Sequence, residues 1–584
     1  TGSTISGTGL IRNLGSLQST SGLFNIGIVN YGLSTFTGTN ELTDTIITHA
    51  NSTLNLVSSG PLNFRSDKGF ENNGLMQCLT YNYWGGGSVE VTNGSLVNNA
   101  GGVLNIRVMA ALSSSSSPLN FVVQLENHGE VFVDHWTALG KEDAVHVNNG
   151  ELNLENNVIS INQSGTNPAF SNTGTISVDE NSRLNINGGT FDFISGVLNV
   201  SGLLAISSAT ANIIPDHTNS IPLSISESIL NCSSSFTNQE NLTLLNTTVN
   251  GDNIFTNQDT LQATGCIFNM DFMNEGLANF AGVTSMNDTI ITQSNSTLQI
   301  ASYSNIPMQF TSASGFTNYG LLQSLTNNYW AGGFISITDG ALVNDGLGVI
   351  DISAPGSLSS AASPLRLLLQ LDNQGEVIVN HNTDLDMMSA IQTNIGTLRV
   401  TDHGFSLILD GEGAAFINTG ELEVDSQSNL SVIGGTFNHN AGTFDLQGSL
   451  SATSVTINLV PEFTNNSSIM MSAVILNCSA PFTNQSDLEI INSTINGDYL
   501  FSNQDTMTAN GIILNMGFNN LGMASLTGTM DINDTIITNP NTTLNILSAS
   551  YMDFNSEKGI TNNGLMQIIT RNYWGGGTME IVNG

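Results

Sequence analysis

The residues best equipped to grip a partner form one block that recurs three times. It reads Asn82-Tyr83-Trp84-Gly85-Gly86-Gly87, then Asn328-Tyr329-Trp330-Ala331-Gly332-Gly333, then Asn572-Tyr573-Trp574-Gly575-Gly576-Gly577. Tyr and Trp offer broad, stiff surfaces at low side-chain entropy, the character of interaction hot spots. Tyr83, Trp84, Tyr329, Trp330, Tyr573 and Trp574 are therefore candidate contacts for a saccharide or for a second copy of the chain. The competing expectation is that the rings close an enlarged turn as part of the core.

Other chemistry is thinner. Asp402-His403-Gly404 is similar to the His-Gly of polygalacturonases, but one repeat earlier the same place holds Asn156-Asn157-Val158, so a corner is the expectation. His135 and His381 are the histidines that match between repeats. Their neighbours are Trp136 and Asn382, so they read as surface or corner residues and not as a metal cluster or triad. Asn250-Gly251-Asp252 with Asp259 matches Asn496-Gly497-Asp498 with Asp505, and Asp44, Asp288 and Asp534 match one another. Neither the EF-hand spacing nor the calcium nonapeptide is present, so these aspartates are expected to cap backbone amides at corners. No cofactor or metal is expected beyond weak calcium binding. Cys78, Cys232, Cys266 and Cys478 are too sparse to staple the chain and read as small buried apolar residues. No catalytic residue is assigned, and no enzyme is expected.

Ten Lys and Arg stand against 47 Asp and Glu, a formal net charge of −37. A phosphate-binding surface needs clustered cations, so nucleic acid and anionic membrane are poor partners. The chain has no run of about 18 apolar residues that would cross a membrane as a helix. It opens at Thr1 without a leader-like segment and stops at Gly584 partway through a repeat, which suggests an excerpt whose export signal and anchor lie outside it.

The elements that must hold these residues follow from the spacing. Trp84 and Trp330 are 246 residues apart, and Trp330 and Trp574 are 244 apart, so one long unit is written again. Inside it a shorter motif, Asn-x-Gly, starts at Asn30, Asn72, Asn127, Asn148, Asn172 and Asn274, with looser copies at Asn98, Asn238 and Asn257. These positions imply eleven steps of ~22 residues in each long unit, in the range of short structural repeats. After each Asn comes a period-2 run. Ile176, Val178, Leu184 and Ile186 become Leu422, Val424, Leu430 and Val432 in the next unit, while Thr175 and Ser177 become Glu421 and Glu423. One face is kept apolar and the other varies, as half-buried strands require.

The fold class expected is all-β, a parallel β-helix (β-solenoid) of ~22-residue coils in tandem repeats of 244–246 residues. Aliphatic rows should lie inside, with hydroxyl and amide rows outside. Asn and Gly of each motif should mark corners through left-handed backbone conformations. The boundaries expected are 1–71 for the end of a preceding unit, 72–317 and 318–561 for full units, and 562–584 for the start of a third. These would form one continuous rod, rising ~4.8 Å per coil and so ~50 Å per unit.

The repeated corners Phe70 to Gly74, Phe316 to Gly320 and Phe416 to Gly420 resemble those of bacterial surface parallel β-helix proteins, the filamentous-haemagglutinin-like and giant repetitive adhesins. A closer likeness is to the grappling-hook filaments of predatory gliding bacteria. The resemblance implies a secreted or cell-surface protein that associates with itself into a fibre, for attachment to glycans or to another cell. A polysaccharide-binding or polysaccharide-cleaving β-helix is the alternative.

Overall fold

The computed structural model describes residues 2–58, 60–81, 86–108, 117–302, 308–326, 332–353, 363–548, 552–570 and 577–584, without the side chains of Thr326, Ser548, Met552 and Thr570. All regular elements among these residues are strands. They pair in parallel into a β-solenoid with coils about 21 residues apart, as the short period predicts. The chain divides into two compact units, Thr1–Ala278 and Asn279–Gly584.

In the first unit a coil is a chain of short strands such as Thr175–Val178, Arg183–Asn187 and Thr190–Phe193. Each lies in register with a strand one coil further on, pairing Thr175 with Val197, Arg183 with Leu203 and Thr190 with Thr210. Alternation then sends Ile176, Val178, Leu184 and Ile186 into the core at no more than 1% exposure. Phe236 stacks on Phe255 from the next coil at 5.0 Å between ring centroids.

The second unit repeats the pattern. Leu422, Val424, Leu430 and Val432 are equally buried, and Glu421 stands exposed on the outward side. Phe482 and Phe501 stack at 4.9 Å with an interplanar angle of 8°. No helix among the described residues is long and apolar enough to cross a membrane.

The corners correct two expectations. The motif asparagines are not outside. In the first unit, Nδ2 of Asn72 donates to Oδ1 of Asn98, Asn98 to Asn127, Asn127 to Asn148 and Asn148 to Asn172, at 2.7–2.8 Å. In the second, Asn318, Asn344, Asn373, Asn394 and Asn418 are linked in the same way at 2.6–2.8 Å. All ten are at most 2% exposed. The remaining amide N–H of each reaches a backbone carbonyl, as from Asn127 to Glu151 at 3.0 Å. The carbonyls reached belong to the first residue of a following strand, as with Glu151, which pairs with Glu130. A buried amide can donate to that carbonyl and to the next amide while it accepts from the one before, a set of bonds no apolar side chain supplies.

The glycine of the motif is likewise required by closeness and not by a left-handed backbone. A Cβ on Gly150 would stand 2.1 Å from the Gly129 carbonyl oxygen, and one on Gly396 2.0 Å from that of Gly375. Neither glycine has positive φ. The left-handed corners lie elsewhere, at Asn156 (φ 54°), Ser208 (φ 51°), Asp402 (φ 59°) and Ser454 (φ 54°).

Candidate functional site

Tyr83, Trp84, Tyr329, Trp330, Tyr573 and Trp574 all lie outside the described residues. Their flanks are described. In the first unit the residues before the block form the strand Leu75–Thr80, in register with Thr53–Ser58 on one side and Val103–Val108 on the other. Tyr81, the residue after the strand, is 48% exposed. At the end of the block, a Cβ on Gly86 would meet the Pro118 carbonyl oxygen at 2.8 Å; in the second unit Gly332 has the same relation to Pro364 at 2.7 Å. The described residues that close the aromatic block and those that follow the Ser-rich stretch therefore lie side by side in each unit.

The histidines, cysteines and Asp402 singled out in the sequence are held in structural contacts. His135 and His381 are fully buried, not at the surface, and their Nδ1 atoms meet the carbonyls of Trp136 and Asn382 at 2.6 and 2.7 Å. The His381 ring stacks on His403 with centroids 6.2 Å apart, and burial pushes its pKa down. His439 ends the inner amide ladder of the second unit. Asn418 Nδ2 can only donate, so His439 Nδ1, 3.0 Å away, accepts and the ring is neutral there. Asp402 sits at a left-handed corner, where its N–H donates to Asp425 Oδ2 at 3.0 Å. The four cysteines are free and buried, with the Cys78, Cys232 and Cys478 thiols pushed up to about 12 by burial. Among the described residues no group of three or more His, Cys, Asp or Glu is placed to hold a metal ion.

Asp44 and Asp534 do cap backbone amides, accepting from Thr45 and Thr535 at 2.9 and 2.6 Å. Each also takes a lysine, Lys68 at 3.0 Å and Lys558 at 2.9 Å. The Lys68 ammonium, helped by the Thr45 N–H, holds Asp44 below the usual carboxylate range. Other cations are similarly enclosed. Arg399 lies between Glu376 at 3.1 Å and Glu423 at 2.6 Å, and Arg65 is 3.9 Å from both Glu41 and Glu90. Such exposed pairs contribute about 0–1 kcal/mol each. Their clearer effect is to leave those cations engaged by carboxylates.

No family model and no curated protein matches the chain. What it offers a partner must then come from its outward positions, and there a second set of amides stands out. In the first unit Asn269, Asn250 and Asn231 each donate to the Asn one coil earlier at 2.7–2.9 Å, as far as Asn212, which donates in turn to Asp192 Oδ1 at 2.7 Å. In the second, Asn533, Asn515, Asn496, Asn477 and Asn458 do so at 2.5–2.7 Å, ending at Asn438. Beside this column runs another, in register: Thr210, Ile229, Thr248, Ile267 in the first unit and Thr456, Ile475, Thr494, Ile513 in the second.

Apart from Asn515, which Gly517 follows two places on, these residues escape a search for Asn-x-Gly corners because no such glycine marks them. Their signal is a 19-residue spacing, from Asn212 to Asn231, Asn250 and Asn269 and again from Asn458 to Asn477, Asn496 and Asn515. Asn250 and Asn496, considered above as cation ligands, are bonded rungs of this column.

A different outward surface in the second unit forms an open groove of about 500 Å³, lined in part by Ser451, Met470, Asp487, Glu489 and Thr508. Its lining includes hydroxyls and two carboxylates but neither Lys nor Arg. Such a surface offers nothing to offset the charge of an acidic sugar.

Proposed function

We propose that the chain is a structural, adhesive protein of the extracellular or cell-surface space, whose solenoid units build a rigid rod or filament by lateral association of copies. One observation carries this: polar side chains arranged as bonded columns, inside and outside, recur at the same places 246 residues apart. Such columns fix the rise of each coil and present a periodic surface, as a fibre requires. The high acidic charge keeps the protein soluble. The role is attachment, to glycans or to another cell, through many weak contacts.

Negative-stain microscopy of the purified chain tests the assembly. Ordered bundles with an axial repeat of ~50 Å are expected, and isolated particles at all concentrations refute it. The second reading, a saccharide surface, draws on the hydroxyl-lined groove at Ser451 and Thr508. A glycan array combined with a depolymerisation assay addresses it. Turnover of a polysaccharide lost in Asp402→Asn would overturn the structural assignment.

A further inference from the structure

We infer that the outward Thr/Ile and Asn columns form the face through which one copy of this chain packs against another. This rests on the self-association proposed above and names the surface responsible.

The first support is electrostatic. The positions of the face carry no charge for four coils in each unit, at Thr210, Ile229, Thr248 and Ile267 with Asn212, Asn231, Asn250 and Asn269, and at the eight positions 246 residues later; carboxylates lie at the column ends, Asp192 on Asn212 and Asp531 in register with Ile513. In a chain of net charge −37, two copies can approach closely only where carboxylates do not meet. In the second unit the neighbouring outward column, by contrast, carries Glu489 between Met470 and Thr508; in the first it reads Ser224, Thr243 and Gln262.

The second support is hydrogen-bonding capacity. Asn477 donates one N–H to Asn458 and accepts one from Asn496, both at 2.7 Å, and Asn496 repeats this with Asn477 and Asn515. A carboxamide has two N–H groups and two lone pairs. Asn477 and Asn496 therefore each keep one donor and one acceptor for a partner, and a second amide column supplies the complement of both.

The third is pitch. The rungs recur at the ~4.8 Å coil spacing, so a partner that satisfies successive rungs must have that spacing too. A second copy of the same solenoid has it by construction. The exposed Ile229, Ile267, Ile475 and Ile513, at 42, 41, 46 and 39%, alternate with smaller threonines. Isoleucines of one copy can seat over the threonines of another.

Four coils at ~4.8 Å, crossed by a four-residue strand, give ~250 Å² of face per unit. That is well below the ~800 Å² per partner of a stable interface. A chain with two such faces therefore associates weakly and depends on engaging both.

The test is sedimentation velocity of the full chain over a concentration series, with far-UV circular dichroism to confirm folding. The variants are Ile229→Glu/Ile475→Glu, on exposed positions of the face, and Thr243→Glu/Thr508→Glu, on exposed positions of the neighbouring surface. Wild type and the second variant are expected to associate alike, and the first to need at least ~10-fold higher concentration. Association of wild type that the Ile variant leaves unchanged, or that both variants weaken equally, overturns the face while sparing self-association. A wild type that stays monomeric overturns both. Monomeric wild type that binds an immobilised glycan, with binding lost in the Ile variant, assigns the face to a saccharide instead.

Discussion

Removing one rung of the inner ladder should destabilise the fold far more than removing one of the outer. Asn373 is fully buried. Its Nδ2 donates to Asn394 Oδ1 at 2.7 Å and to the Thr397 carbonyl at 3.0 Å, and its Oδ1 accepts from Asn344 at 2.8 Å. Asn373→Ala leaves the buried Asn394 Oδ1 without its donor, at about 1–3 kcal/mol, and removes a further buried bond to the Thr397 carbonyl, so a loss of ~3 kcal/mol is expected. Asn344 retains the Gly348 and Glu376 carbonyls, which limits the damage on its side. Asn477→Ala also removes two amide bonds of 2.7 Å, but at a half-buried outward site where water replaces them. Its cost should stay below ~1 kcal/mol. Urea denaturation followed by circular dichroism gives both values. Hydrogen exchange at Thr397, whose N–H donates to the Gly375 carbonyl at 2.8 Å, reports whether opening is local, as expected of a stack of coils. Equal losses in the two variants would refute the distinction between a structural and a presented ladder.

Gly396→Ala should destabilise by several kcal/mol, because its Cβ would lie 2.0 Å from the Gly375 oxygen; Gly346→Ala, with nothing within 4 Å, should be near neutral by the same denaturation assay. His146→Gln should stabilise by ~1–2 kcal/mol, because the matching Gln392 keeps the bond to a backbone N–H that His146 makes to Leu125 and adds one to the Leu369 carbonyl, whereas His146 Nε2 has no partner. Burial lowers the pKa of His146 and His217 to about 4. Unfolding restores ~6.5, so their contribution is whole above that pH and falls away by ~3 kcal/mol per group as pH drops to about 4. Denaturation across that window should flatten in His146→Gln/His217→Phe, the residues the second unit carries at these places. The buried thiols should react with a maleimide only once the chain is unfolded, as a mass-spectrometric time course in and out of denaturant will show.

The coil length and the inward rows were legible because they depend on periods along the chain. Ile176 and its counterpart Leu422 are apolar wherever the pleat points inward, and nothing else in the environment intervenes. The corners were legible as places but not as chemistry. Asn and Gly are turn residues by local rule, and the local rule proposed solvent and positive φ. Neither holds at Asn148 and Gly150, where the deciding neighbours are Asn172 and Gly129, residues one coil away. The histidines failed for the same reason. Polarity places His135 outside, yet the carbonyl of Trp136 and full enclosure by adjoining coils place it inside.

In a stacked fold the partner that decides a residue's role is therefore about 21 residues distant and at the same angular position. That also accounts for the face inferred here. Asn231 looks unremarkable between Leu230 and Cys232, both buried. Set under Asn250 and over Asn212 it becomes one rung of a column, half satisfied, with one donor and one acceptor left. A single exposed amide binds little. A row of them at fixed pitch discriminates by spacing, because a ligand with any other period can meet one rung and must miss the next.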